Sequence, residues 1–146
     1  MRVRIVAIGT RMPGWVEAAY GDYTRRLRAR LRVDLEELAI GKSKADEEQR
    51  LLARAGDDYL VALDERGKSL TTLDLAKWLG QRLQDGRDLC FVIGGADGLG
   101  AGVLKGADLR WSLSTLTFPH AMVRVVLAEQ LYRAHSVLQN HPYHRE

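Results

Sequence analysis

Short continuous apolar runs and stretches of helical spacing take turns along the chain, the pattern of strands alternating with helices. Val3-Arg4-Ile5-Val6-Ala7-Ile8 predicts a strand ended by Gly9, and Trp15 to Leu31 predicts a helix carrying Val16, Tyr20, Tyr23, Leu27 and Leu31 at helical spacing. Val33 to Leu38 predicts a second strand, Gly41-Lys42-Ser43-Lys44 a loop, and Ala45 to Ala55 a charged, exposed helix. Tyr59-Leu60-Val61-Ala62-Leu63 reads as a buried strand, followed by a turn at Asp64-Glu65-Arg66-Gly67-Lys68 and a helix from Thr72 to Gln84. Leu89 to Ile93 is a further buried strand closing on Gly94-Gly95-Ala96-Asp97-Gly98. A short helix at Ala101–Lys105, a strand near Arg110–Leu113 and a long helix from Pro119 to Asn140 complete the series. Strands and helices in this order imply one α/β domain over residues 1–146, layered around a mostly parallel, doubly wound sheet.

Composition changes this picture little. A hydrophobic share of 46% with 28% charged residues is globular, and a single cysteine, Cys90, excludes an internal disulfide. Cys90 sits in an apolar run and reads as a buried, inert thiol. No signal-like start and no apolar run near the ~18 residues of a membrane span occur, so a cytoplasmic protein is expected. Charge is more informative in its distribution than in its net value of +3. Residues 1–32 hold eight arginines against Glu17 and Asp22, with five of them between Arg25 and Arg32 at a helix end. Two readings stay open: a solvated face whose cations favour a helix C-terminus, or a set of guanidinium forks for phosphate.

In an open parallel sheet, ligands bind beyond the carboxyl ends of the strands. Three loops leave such ends: Leu63 to Gly67, Gly94 to Gly98, and Leu113-Ser114-Thr115-Leu116-Thr117-Phe118. Both Gly-Lys-Ser triplets lack the glycine five residues upstream that a phosphate loop requires, and Gly94–Gly102 contains no G-x-G-x-x-G. All four histidines fall in the last third of the chain, which ends His141-Pro142-Tyr143-His144-Arg145-Glu146. A chain end normally frays, so two imidazoles, a phenol and a guanidinium there suggest a tail that folds onto something and meets a polar ligand. His141-x-x-His144 invites a metal reading, but the lack of further ligands nearby favours imidazole as proton acceptor or hydrogen-bond partner, and no metal is expected. In the last helix, Glu129 and Arg133 share a face at i,i+4, while Met122, Val125 and Tyr132 give it more apolar girth than one sheet face needs, which hints at a subunit interface.

The start V-A-I-G-T-R-M-P-G-W-V (6–16), the turn I-G-G-A-D-G-L (93–99) and the end L-T-F-P-H…V-R-V-V-L-A-E-Q-L-Y-R-A…H-P-Y-H-R-E (116–146) resemble the RlmH family, a small single-domain branch of the SPOUT methyltransferases. The resemblance runs nearly end to end. It implies a deep trefoil knot in a mostly parallel five- to six-stranded sheet flanked by helices, and a homodimer. It also implies S-adenosylmethionine as cofactor and methylation of N3 of a pseudouridine in a stem-loop of 23S ribosomal RNA, on the assembled 70S ribosome. Carried over position by position, cofactor contacts fall on Leu63, Gly94, Leu113, Ser114, Thr115, Leu116, Thr117 and Phe118. The resemblance puts the catalytic set on His144, Tyr143, Arg133, Arg145 and Glu129. Imidazole chemistry suits His144 to accepting the N3 proton, the alternative being that it positions RNA while water takes the proton, and the arginines suit phosphate or base carbonyls. His135 departs from the family, which carries a large aromatic residue there, and the stretch from Gly41 to Tyr59 is slightly short. The rival function is a non-catalytic ribosome- or RNA-binding module, which would need no ordered cofactor loops.

Overall fold

A computed structural model describes residues 1–145. Five parallel strands form one sheet in the order β2-β1-β4-β3-β5: β1 (Val3–Ile8), β2 (Val33–Leu38), β3 (Tyr59–Ser69), β4 (Leu89–Ile93) and β5 (Leu109–Ser112). Helices cover both faces. The two-residue strand period sorts the core: Ile5, Val61, Phe91 and Trp111 point to the side of α1 (Gly14–Arg28), α3 (Thr72–Asp85) and α5 (His120–Leu138). Val6, Ala62, Cys90 and Val92 point to the side of α2 (Lys44–Ala55) and α4 (Ala101–Gly106). β4, paired on both edges and covered on both faces, is buried at every residue, which is why its sequence is an unbroken apolar run. Cys90 is among those residues, and burial pushes its thiol up to about 11, so it stays protonated near neutral pH.

Local chemistry sets the helix ends. The Ser43 hydroxyl accepts from the Asp46 amide at 3.1 Å at the start of α2, and Thr71 does the same for Asp74 at 3.0 Å in α3. Gly86 closes α3 in the left-handed region at φ 77°. Asn140, at φ 55°, turns the chain after α5 into a single 3-10 turn, Pro142–Arg145, which lies back on α5.

The segment Asp64–Lys68, expected as a turn, is instead part of an eleven-residue β3. Leu63 pairs with Trp111, the register then jumps, and Lys68 and Ser69 pair with Trp111 and Ser112. The intervening residues bulge out at the sheet's carboxyl edge, tied there by an Asp64–Arg110 ion pair at 2.8 Å. A Cβ at Gly67 would lie 2.6 Å from the Arg110 carbonyl carbon, so only glycine lets the bulge close on β5. The last helix begins at His120 rather than Pro119, whose φ of −55° and ψ of 141° place it just outside the helix.

α5 lies between α1 and α3, although it follows the edge strand β5. The segment 113–119 therefore crosses the carboxyl end of β3 on its way to the middle of that face. Arg124 fixes the arrival. Its side chain is buried, its Nη2 donates to the Gly9 carbonyl at 2.7 Å, and its Nη1 pairs with Glu37 of β2. One side chain thus bolts the first turn of α5 to the ends of β1 and β2. Arg124→Met is expected to cost about 2–3 kcal/mol, since it strands a carbonyl and a carboxylate, with the upper range discounted because Glu37 is 32% exposed and can rehydrate. A urea titration checks this; a midpoint unchanged from the parent would show that the strut contributes nothing.

Candidate active site

The carboxyl ends of β3, β4 and β5 open into a cleft of about 700 Å³. Its floor is backbone-rich. Gly94 leaves β4 into a tight turn in which Gly95 and Gly98 bridge each other, the Gly98 amide donating to Gly95 at 3.0 Å with φ 78° at Gly98. A Cβ on Gly94 would stand 2.6 Å from the Gly98 carbonyl carbon, so the turn is closed too tightly for any side chain there. The opposite wall is the 113–118 loop, where the Ser112 hydroxyl donates to the Ser114 carbonyl at 2.8 Å and the Leu116 amide donates to the Ser114 hydroxyl at 3.0 Å. Ile93, Leu99, Leu104, Leu113 and Phe118 supply apolar walls; Asp64, Glu65 and Asp97 supply carboxylates. Apolar walls with charges of both signs at the rim, Lys44, Arg66 and Arg110 beside the three carboxylates, suit a nucleoside-sized ligand with polar and charged substituents.

Of the eight positions expected to hold the cofactor, seven line this cleft: Leu63, Gly94, Leu113, Ser114, Leu116, Thr117 and Phe118. Thr115 is exposed and is not among the lining residues. Sequence reasoning missed His120, Arg110, Glu65 and Asp97 as lining residues. Asp97 and Glu65 stood inside loops already singled out, so only their side-chain chemistry was overlooked. His120 was legible only as a helix start; the crossing of 113–119 is what brings its imidazole to the cleft.

The expected catalytic set does not meet the cleft of its own chain: none of Glu129, Arg133, Tyr143, His144 or Arg145 lines it. From His120 to Arg133 the helix advances about 20 Å at ~1.5 Å per residue. The set does assemble with itself at that far end. Arg133 Nε donates to Glu129 at 2.8 Å, and the Arg133 guanidinium stands over the Tyr143 ring at 4.9 Å. The Tyr143 ring packs on Tyr132 with centroids 4.4 Å apart, and its hydroxyl hydrogen-bonds with Tyr23 of α1. Burial first, then that hydrogen bond, raises the phenol above its usual range, so Tyr143 remains a neutral group. His144 is half-buried, and its Nδ1 has no partner among the described residues. Arg145 is exposed, and Glu146 lies outside the described residues. His135 is buried beneath this assembly and held below the ordinary imidazole range by burial and by Arg30, so it is a neutral packing residue. His141 is spent locally, its Nδ1 accepting from the Tyr143 amide at 3.2 Å. Among the described residues no His, Cys, Asp and Glu cluster could hold a metal ion, and no helix is long and apolar enough to cross a membrane.

A family profile described as "Predicted SPOUT methyltransferase" matches residues 1–144. The chain belongs to the SPOUT methyltransferase family. It is 49% identical, over the whole of both chains, to the ribosomal RNA large subunit methyltransferase H of Methylobacillus flagellatus. It is also 49% identical to the protein of that name from Alkalilimnicola ehrlichii, covering 99% of each. Solved structures agree on the fold. A probable methylase family protein of Haemophilus influenzae superposes with a TM-score of 0.59 at 15% identity, covering 97% of this chain and 69% of that one. The tRNA (m1G37) methyltransferase of Aquifex aeolicus gives 0.52 at 11% identity, over 90% of this chain and 70% of that chain. The SPOUT fold of this chain has five parallel strands flanked by helices, the lower of the two strand numbers expected. Parallel strands with helices on both faces agree with the doubly wound sheet suggested by periodicity.

Proposed function

We propose that this SPOUT enzyme transfers a methyl group from S-adenosylmethionine to N3 of a pseudouridine in 23S ribosomal RNA, acting in the cytoplasm on the assembled ribosome as a homodimer. The observation that carries the reading is the separation within one chain: a nucleoside-shaped cleft at one end of α5 and a cationic, aromatic tail assembly at the other. Full-length identity to proteins named for ribosomal RNA methylation supports the substrate class.

Leu63, Gly94 and the 113–118 loop would hold the nucleoside, with Thr115 contributing backbone rather than side chain. Bound adenosylmethionine supplies an electrophilic methyl on a sulfonium centre. Transfer to N3 would break the methyl–sulfur bond and leave S-adenosylhomocysteine, and the N3 proton needs an acceptor within hydrogen-bond reach. We assign that role to His144, the imidazole at the end of the tail, while Arg133 and Arg145 hold phosphate or base carbonyls and Tyr143 stacks on or hydrogen-bonds the base. Glu129 aligns Arg133. Because the tail stands a helix length from its own cleft, each site takes its tail from the second copy, in an antiparallel pairing of α5 helices. Met122, Val125 and Val126 of α5 are only half-buried and Trp15 is 56% exposed, which leaves apolar surface for that contact.

The direct test incubates the protein with methyl-labelled adenosylmethionine and ribosomes that lack the modification. Label is expected in large-subunit RNA, at a pseudouridine. Label only in protein or small molecules, or none with cofactor and RNA both bound, would leave a non-catalytic RNA-binding module as the better account.

A further inference from the structure

The arginine cluster read in the sequence has a definite place in the fold. α1 and α5 both run from the carboxyl edge of the sheet towards its amino edge, so their last turns meet at the end opposite the cleft. Arg25, Arg26, Arg28, Arg30 and Arg32 are all exposed there. They are joined to the tail by direct contacts. The Arg26 guanidinium stands 5.8 Å over the Tyr23 ring, Tyr23 packs against Tyr132 at 6.5 Å, and Tyr132 packs against Tyr143. Arg30 also acts electrostatically on His135, one turn before the tail.

Complementing the helix dipole accounts for a cation or two in a last turn, not for five arginines in eight residues. Nor are all of them neutralised locally. Asp22 pairs with Arg25 and Arg26, and Asp34 with Arg32, whereas Arg28 and Arg30 have no ion-pair partner among the described residues. Like charges held this close repel one another unless a polyanion covers them.

We infer that the end of α1 and the tail form one continuous surface that grips the phosphate backbone of the RNA, with Arg28 and Arg30 as its phosphate contacts and the tail reading the target nucleotide. This rests on the reading that the tail meets the RNA. In the dimer it places the grip of one subunit beside the cleft of the other, so that the subunit lending the tail also holds the flanking strand. Guanidinium suits the task, because its planar fork binds phosphate oxygens two at a time.

The test is the double variant R28Q/R30Q in the full-length protein, with ribosome binding measured over a series of potassium chloride concentrations. Each lost phosphate contact lowers the slope of log affinity against log salt by about 0.7 on single strands to 0.9 on a duplex, so the double variant is expected to lose about 1.5. The loss should appear in KM for ribosomes rather than in kcat, with R28K/R30K recovering part of it. K77Q, on the exposed side of α3, is expected to leave the slope unchanged. An unaltered slope and KM in R28Q/R30Q, or a slope lowered as much by K77Q, would overturn the inference and return the cluster to a solvated face. A fall in kcat at unchanged KM would also overturn it, by making the arginines props for the tail. If the parent protein fails to methylate ribosomal RNA, the proposed function fails, and the salt slope still decides on the grip.

Discussion

Deleting residues 141–146 is expected to abolish methyl transfer while leaving adenosylmethionine affinity within a few-fold of the parent. The reason is geometric: the cleft is built by the ends of β3, β4 and β5, and none of the described tail residues lines it. His144→Ala alone should lower the rate at saturating ribosomes by about 10²–10⁴, the range of general base catalysis, with a smaller effect on ribosome binding. A loss confined to binding would make His144 a positioning residue. If the truncated chain still turns over, the imidazole that each chain brings to its own cleft, His120, becomes the proton acceptor in place of His144.

Gly94→Ala attacks the other half of the site. Its Cβ would lie 2.6 Å and 2.7 Å from the carbonyl carbon and oxygen of Gly98, so the turn that floors the cleft has to open. Calorimetry with S-adenosylhomocysteine should show affinity reduced about 100-fold or more, roughly 2.7 kcal/mol, in a protein whose circular dichroism is unchanged. An affinity within threefold of the parent would show that the turn does not contact the nucleoside. The two lesions together test the shared site. Gly94→Ala chains keep a tail and lack a cleft, and truncated chains keep a cleft and lack a tail. Random mixing in equal amounts makes half the dimers mixed, each with one whole site, so activity should return to about a quarter of the parent value. No recovery from a mixture that light scattering shows to be dimeric would exclude a site shared between subunits.

Much of this protein follows from its sequence alone. The largely apolar runs of β1 and β4 mark strands enclosed between two neighbours, and the boundaries of every strand but β3 follow within a residue. Gly94 and the 113–118 segment were legible as cleft because ligands gather where strands end and glycine lets them approach. The tail stood out by its two imidazoles, phenol and guanidinium, and its 3-10 turn packs back on α5. Three things were settled only in three dimensions. The extension of β3 depends on a second pairing with β5, across a bulge whose need for glycine lies in a contact with Arg110. The burial of Arg124, which a sequence reads as a surface cation on an amphipathic helix, depends on Gly9 and Glu37 arriving beside it from two other strands. The distance between tail and cleft depends on the length and direction of α5 and on its position between α1 and α3. Periodicity reports which face of an element is buried, because burial repeats with the element's own geometry. It carries no information on which distant segments share a neighbourhood, and in this fold the neighbourhood decides where the chemistry can occur.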